Sequence, residues 1–131
     1  MMLFVLALMM PPPGPPEDPI GQRLYPPELI MSHQQELGID DKQRDAIVKE
    51  VQNAQALITK LSWQMQSQVE QFAKLLEAPH VDEAKALAQA DKVMNAERDV
   101  KKAHLTLLIR IKNLLTDAQR RKLAELRKQS P

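Results

Sequence analysis

Apolar residues recur at alternating steps of four and three through the middle of the chain, which is the spacing of a heptad seam along one side of a helix. The seam consists of Ile47, Val51, Ala54, Ile58, Leu61, Met65, Gln68, Phe72 and Leu75. Further apolar residues beside the seam widen it enough for more than one packing partner. They are Val48, Leu57, Val69 and Leu76. The pattern predicts one long amphipathic helix.

A second long helix with a similar repeat follows a break at Pro79. Asp82 and Glu83 can restart a helix after the break, and the short connection predicts that the two helices run antiparallel. The second seam consists of Val93, Ala96, Val100, Ala103, Leu107, Ile111 and Leu114. At 1.5 Å per residue such a hairpin would be roughly 50 Å long. Because so thin a shape has much surface for little core, we expect a homodimer formed through its exposed apolar side.

Short helices flank the long pair. Pro26-Pro27 can open the first one, and Gly38 is placed to end it. The last one carries Leu123 and Leu126 on one side and is too short to be stable alone, so it must fold back onto its neighbours. The predicted fold is all-α, with two long central helices and a short helix at each end.

Composition narrows the range of functions. A chain of 131 residues with 44% apolar content makes one small domain, and 3% aromatic content means that its core is aliphatic. The absence of cysteine excludes disulfides, thiolate metal sites and cysteine nucleophiles, but leaves the compartment open. No paired carboxylates, activated nucleophile or phosphate-binding glycine loop is evident, so we predict a protein that is not an enzyme and requires no cofactor.

The first ten residues, Met1–Met10, are all apolar and are followed by a proline-rich stretch. Ten residues cannot span a bilayer, which needs about twenty in a helix. The run fits the apolar part of a secretory signal but lacks the positively charged residues that normally precede it. We therefore expect that upstream residues complete a signal peptide or a membrane anchor. The alternative is an apolar N-terminus buried against the domain. We therefore divide the chain into a leader with a proline-rich linker at 1–25 and a helical-hairpin domain at 26–131.

Charge is unevenly distributed although the whole chain carries only +1. From Arg98 to Lys128 there are ten basic and three acidic residues, so the preceding part is net acidic. Antiparallel packing would bring these opposite charges together. A solvated basic surface is favoured over a nucleic-acid site, because no nucleic-acid motif is present and Trp63 stands alone, away from the basic half.

Two five-residue segments near the ends of the helical region encode the same helix start. In each, the second residue can cap the helix, the fifth can reach back to the backbone of the cap, and the first can pack where the chain enters the helix. These capping boxes consist of Ile39, Asp40 and Gln43, and of Leu115, Thr116 and Gln119.

Two such boxes around a long helical hairpin resemble the periplasmic LTxxQ family, which includes Spy-like envelope-stress chaperones and heavy-metal resistance sensors. The second box matches the family motif outright, whereas the first has Ile39 for leucine and Asp40 for threonine. The resemblance covers about residues 26–128. It implies a bent four-helix antiparallel hairpin, usually dimeric, in the periplasm of a Gram-negative cell, either soluble or anchored to the inner membrane.

The family resemblance implies two kinds of non-enzymatic function. Spy-like members bind unfolded clients without ATP, whereas the sensors bind nickel, cobalt, copper or zinc and report to an inner-membrane partner. At the positions of the nickel and cobalt ligands, this chain has Ile30, Gln34, Leu107 and Ile111. None of these is a good metal ligand. Chaperone-type binding is therefore slightly favoured.

Other residues could still bind a metal. His33 and Glu36 are three residues apart and could face one Zn²⁺, Ni²⁺ or Cu²⁺ ion if other ligands, such as His104, came from another helix or subunit. For His33 and Glu36, the favoured interpretation is a pair of side chains that faces solvent. For His104, it is a position at the edge of the seam. Met65 and Met94 could meet across the hairpin, where core filling is favoured over a Cu(I) site.

A client-binding surface would combine aliphatic side chains with a basic rim on the second long helix. The rim residues are Arg98, Lys101, Lys102 and Arg110. A third class of function is a helical adaptor whose hairpin pairs with the helices of a membrane partner.

Overall fold

A computed structural model describes residues 18–129, so the predictions for the apolar leader lie outside the described residues. After a single 3₁₀ turn at Gly21–Arg23, the chain forms five α-helices and, within residues 18–129, no strand. The helices are α1 (Pro27–Ser32), α2 (Gln34–Leu37), α3 (Asp41–Leu76), α4 (Glu83–Asn113) and α5 (Asp117–Gln129). The all-α prediction, with two long central helices and short ones at the ends, is confirmed.

The long helices α3 and α4 make most of the interhelix contacts, and they pack as an antiparallel pair. Every predicted seam position of α3, from Ile47 to Leu75, is buried or half-buried. The polar seam residue Gln68 accepts hydrogen bonds from the side-chain amide of Gln89, at its backbone oxygen (2.9 Å) and at Oε1 (2.8 Å). This polar contact favours one register of the hairpin, because a slip would leave the buried Gln89 amide without partners.

The connection between the long helices is confirmed, but the end of the second seam is not where the sequence places it. Asp82 caps α4 by accepting a hydrogen bond from the Lys85 N–H at 3.1 Å. At the other end Leu114 is exposed and Leu115 is buried instead. The helix ends at Asn113, so the turn that follows directs the second leucine, rather than the first, into the core.

The first short helix is divided in two at His33, where the backbone (φ −125°, ψ 28°) is not helical. One residue earlier, the hydroxyl of Ser32 donates to the backbone oxygen of Glu28 at 2.8 Å, a contact that competes with regular helix geometry. Gly38 ends α2 in the left-handed conformation with φ 67°, as predicted. The prediction of one continuous helix before Gly38 was therefore wrong, whereas its two ends were placed correctly.

The core lies at the base of the hairpin, where all five helices meet. Its buried members are Tyr25, Ile30, Leu37, Ile47, Ile111, Leu115 and Leu123. Leu126, on the same side of α5 as Leu123, is also buried, as predicted. Among the described residues this core has no member between positions 47 and 111. Beyond the base the hairpin is only two helices thick, and most of its seam side chains remain half-exposed.

The segment before α1, which we call the strap (residues 18–25), is held against the base by two cations. Arg127 donates to the backbone oxygen of Leu24 at 2.6 Å, and its guanidinium lies 5.2 Å from the centre of the Tyr25 ring. Lys112 donates to the backbone oxygen of Arg23 at 2.7 Å. Tyr25, which the predicted boundary assigns to the linker, is a buried member of the core.

Candidate functional site

The first capping box starts α3 as predicted, but its glutamine is used differently. The carboxylate of Asp40 accepts a hydrogen bond from the backbone N–H of Gln43 at 2.7 Å. The side chain of Gln43 donates to the backbone oxygen of Leu114 (2.9 Å) and to Oε1 of Gln119 (2.7 Å). The expectation that Gln43 reaches back to its own cap was wrong, because its amide instead donates to groups that follow the end of α4 and lie at the start of α5.

The second capping box is complete. Oγ1 of Thr116 accepts a hydrogen bond from the backbone N–H of Gln119 at 3.2 Å, and Oε1 of Gln119 accepts one from the backbone N–H of Thr116 at 2.9 Å. This reciprocal pair satisfies two of the donors that a helix start leaves free.

The two boxes are joined through their glutamines into one network. Nε2 of the buried Gln119 donates to Oε1 of Gln43 at 3.0 Å and to the backbone oxygen of Leu37 at 3.1 Å. The amide pair therefore ties together the end of α2, the start of α3 and the start of α5. Low polarity around a buried hydrogen bond strengthens it. The spacing of the motif predicted both caps, but not the contact between them.

The positions that correspond to sensor ligands are mostly part of the apolar core. Ile30 is 3% exposed and Ile111 is fully buried, and Leu107 packs against the same cluster. Gln34 has its side-chain amide bonded to the backbone oxygen of Met31 at 3.1 Å. Three of the four positions therefore carry aliphatic side chains, which offer no lone pair to a metal ion.

The predicted metal ligands come together only in part. Nδ1 of His33 lies 3.1 Å from Oε1 of Glu36, at the break between α1 and α2. His104 is exposed on α4, where it lines a cleft of about 590 Å³ together with Glu28 and Thr59. Within residues 18–129 no three histidine, cysteine or acidic side chains are grouped so that they could hold an ion. One chain therefore offers a pair of ligands at His33, not a three-ligand site with His104.

The predicted basic rim is also divided. Arg98, Lys101 and Lys102, together with the carboxylate residue Glu97, surround a shallow depression of about 360 Å³ whose apolar members are Met94 and Leu105. We call the three basic and two apolar residues of this depression the basic surface. The prediction that Met94 fills the core was wrong, because this side chain is 55% exposed. The step of eleven residues from Met94 to Leu105, close to three helical turns, is the sequence signal that could have located this surface.

Arg110 is not part of the basic surface. Its guanidinium lies 3.5 Å from the carboxylate of Glu50 on α3, at the opposite side of the hairpin seam from His104. An exposed pair at this distance contributes little to stability. The guanidinium of Arg98 lies at the same distance, 3.5 Å, from the carboxylate of its neighbour Asp99, so the two arginines differ in position rather than in pairing. The four predicted rim residues do not line one depression.

Comparison with known proteins links the chain to metal resistance. A family model described as heavy-metal resistance matches residues 1–122. No curated protein and no solved structure matches the chain. None of the helices within residues 18–129 is long and apolar enough to cross a membrane.

Proposed function

This chain belongs to the heavy-metal resistance family, and from that premise we propose that it is a non-enzymatic periplasmic stress protein that binds unfolded polypeptides without ATP. The observation that carries the proposal is the basic surface of α4, where Met94 and Leu105 are exposed among three cations and one carboxylate, that of Glu97. The apolar core at the sensor positions supports the same choice, because it removes the ligands on which a nickel or cobalt sensor depends.

The basic surface has the physical properties that reversible client binding requires. Full burial of one side chain of the size of Met94 or Leu105 contributes about 1.5–3 kcal/mol, and both are already partly buried, so a client would bind weakly and could leave without an energy source. The three cations would attract unfolded segments that carry acidic residues and would speed the first encounter.

An aggregation assay tests the apolar part of this surface. The purified protein should suppress aggregation of an unfolded client without nucleotide, and the double variant Met94→Ser/Leu105→Ser should lose most of that effect. Leu57→Ser is the matched control, because it removes an equally exposed leucine on α3. Unchanged client aggregation at a stoichiometric excess of the natural protein would contradict the proposal.

A second experiment tests the role of charge. Replacing Arg98, Lys101 and Lys102 by glutamine should slow client association and remove most of its salt dependence, because exposed charges act through a screened field. Arg110→Gln is the control and should change the association rate little, since Arg110 lies outside the basic surface, beside Glu50 of the other long helix. If Arg110→Gln slowed association as much as the triple variant, net charge rather than this surface would govern binding.

A second candidate function is metal binding at the break between α1 and α2. The contact of Nδ1 of His33 with Glu36 favours it, because a carboxylate that orients one ring nitrogen leaves Nε2 available to an ion. Additional ligands would have to come from a second chain. Calorimetric titration with Ni²⁺, Cu²⁺ and Zn²⁺ is the test, and no binding tighter than roughly 10 μM would exclude a sensor.

Variants at histidine make the titration specific. His33→Gln should abolish any binding at this site, whereas His80→Gln, at the exposed tip of the hairpin, should not change it. Equal loss of binding in both variants would indicate unspecific surface coordination.

The proposed location in the periplasm rests on the family and on the apolar leader. An alkaline phosphatase reporter, which is active only after export, should be active when fused behind residue 131 of the full chain. An inactive reporter with a normal level of fusion protein would contradict export.

A further inference from the structure

Two methionines on the helices of this chain are exposed to solvent. Of its seven methionines, four lie in the first ten residues, outside the described part. Of the other three, Met65 is half-buried in the seam of α3, whereas Met31 on α1 and Met94 on α4 are 64% and 55% exposed. Oxidation of methionine to the sulfoxide requires that the oxidant reaches the sulfur. Met31 and Met94 are therefore the positions at which an oxidant can act while the helices stay folded.

Met94 differs from Met31 in its surroundings. Met94 is one of the two apolar members of the basic surface, and Arg98 follows it by one helical turn. Met31 instead lines a groove with Ile30 and Val48, at the base of the hairpin. Only Met94 therefore lies on the surface to which we assign client binding.

We propose that Met94 is a reversible oxidation switch for client binding. Oxidation of its sulfur by a peroxide lowers the affinity of the basic surface for unfolded polypeptides, and reduction of the sulfoxide restores that affinity. The inference rests on the proposed function, because it takes the basic surface to be the client site.

The chemistry is the transfer of one oxygen atom from the peroxide to the thioether of Met94. With hydrogen peroxide, the O–O bond breaks, an S–O bond forms, and the second oxygen leaves as water with both hydrogens. The sulfur is oxidised by two electrons, and the peroxide is reduced by the same two. Methionine sulfoxide reductases reverse the change, one enzyme for each epimer of the sulfoxide. In that step a dithiol is oxidised to a disulfide and the oxygen leaves as water.

The surroundings of Met94 accept the added oxygen without strain on the fold. A sulfoxide oxygen accepts hydrogen bonds, and the charged groups of the three cations of the basic surface offer only donors. Glu97 is the one carboxylate at this depression, so donors outnumber it. More than half of the Met94 side chain faces solvent, and the oxygen can point outwards. Oxidation should therefore change the polarity of the surface while the hairpin stays folded.

The size of the effect follows from the part of Met94 that a client can still bury. This part is just over half of the side chain, and it no longer provides apolar burial once the sulfur carries oxygen. We expect the client dissociation constant to rise about fivefold to tenfold, which corresponds to about 1–1.4 kcal/mol. Binding is weakened rather than abolished, because Leu105 and the three cations are unchanged.

Treatment of the purified full chain with hydrogen peroxide tests the proposal. Peptide mass spectrometry should show sulfoxide forming at Met94 and Met31 about fivefold faster than at the half-buried Met65. Fluorescence anisotropy of a labelled unfolded polypeptide should show the weaker binding, and both reductases together with a dithiol should restore the original affinity. Circular dichroism should show the same helix content before and after oxidation.

Substitutions assign the effect to one residue. Met94→Leu keeps an apolar side chain that has no sulfur, so its client binding should survive the peroxide. Met31→Leu is the matched control, because it removes the other exposed methionine, and its client binding should weaken as in the natural protein. Both variants keep the methionines of the leader, so oxidation there affects them equally. Met94→Gln, which is polar and similar in size, should bind clients weakly without any oxidant.

The outcomes separate this inference from the proposed function. No client binding by the untreated natural protein would contradict the proposed function, and the switch with it. Complete conversion of Met94 to the sulfoxide with unchanged client binding would overturn the switch alone. Equal weakening in Met94→Leu and Met31→Leu, or loss of helix on oxidation of the natural protein, would overturn it too, because another site or unfolding would then be the cause.

Discussion

The amide pair of Gln43 and Gln119 should account for a measurable part of the stability of the domain. Three variants test this: Gln119→Met, Gln43→Met, and the double variant. Methionine has nearly the volume of glutamine, so these changes remove hydrogen bonds without opening a large cavity. The amides are 76 positions apart in sequence, and therefore any energetic coupling between them must arise from the fold.

The magnitudes follow from the hydrogen bonds that each variant loses. Gln119→Met removes the contacts with Gln43 and leaves the backbone oxygen of Leu37 and the N–H of Thr116 without their side-chain partner. An unsatisfied buried polar group costs about 1–3 kcal/mol, so we expect a loss of about 3 kcal/mol. For Gln43→Met we expect about 1–2 kcal/mol, because Gln119 keeps its backbone partners and Gln43 is only half-buried.

The double variant is decisive, because its free energy of unfolding measures the coupling directly. Both partners of the pair are then absent, so it should be more stable than the sum of the single losses predicts, by about 1–1.5 kcal/mol. Urea unfolding followed by circular dichroism gives the three values, and Gln55→Met, at an exposed position of α3, should stay within about 0.5 kcal/mol of the natural protein. Additivity within about 0.3 kcal/mol would refute the argument that the two boxes form one network.

Other predictions concern the ends of helices and the strap. Gly38→Ala should destabilise by about 1 kcal/mol or more in urea unfolding, because its φ of 67° suits glycine; an unchanged midpoint would contradict this. Asp40→Ala should cost about 1 kcal/mol through loss of the cap, and asparagine at that position should restore most of it. Arg127→Met should free the strap and speed trypsin cleavage after Arg23, whereas the exposed control Lys128→Met should not.

Local patterns determined much of this structure. A cap and its hydrogen-bond partner are three residues apart, so the starts of α3 and α5 at Asp40 and Thr116 could be recognised from the sequence alone. The heptad seam and the break at Pro79 predicted the antiparallel hairpin for the same reason, since helical periodicity is a property of neighbouring residues. The family resemblance, with positions counted from each capping box, implied that Ile30 and Ile111 stand where a sensor has ligands.

Only the tertiary structure decided which polar groups meet. Gln43 and Gln119 carry identical side chains in similar motifs, yet Gln119 completes its own box as well as bonding across the fold, whereas Gln43 bonds only across the fold. The reason is that α4 brings the end of the hairpin beside the start of α3. The basic residues of α4 look alike in sequence, but Arg110 meets a carboxylate of the other long helix, that of Glu50, whereas Arg98 meets the carboxylate of its own neighbour Asp99. Such contacts depend on where distant helices lie, and no local pattern encodes that distance. The sequence by itself therefore determined the helices and their order, and packing determined what their polar and apolar surfaces face.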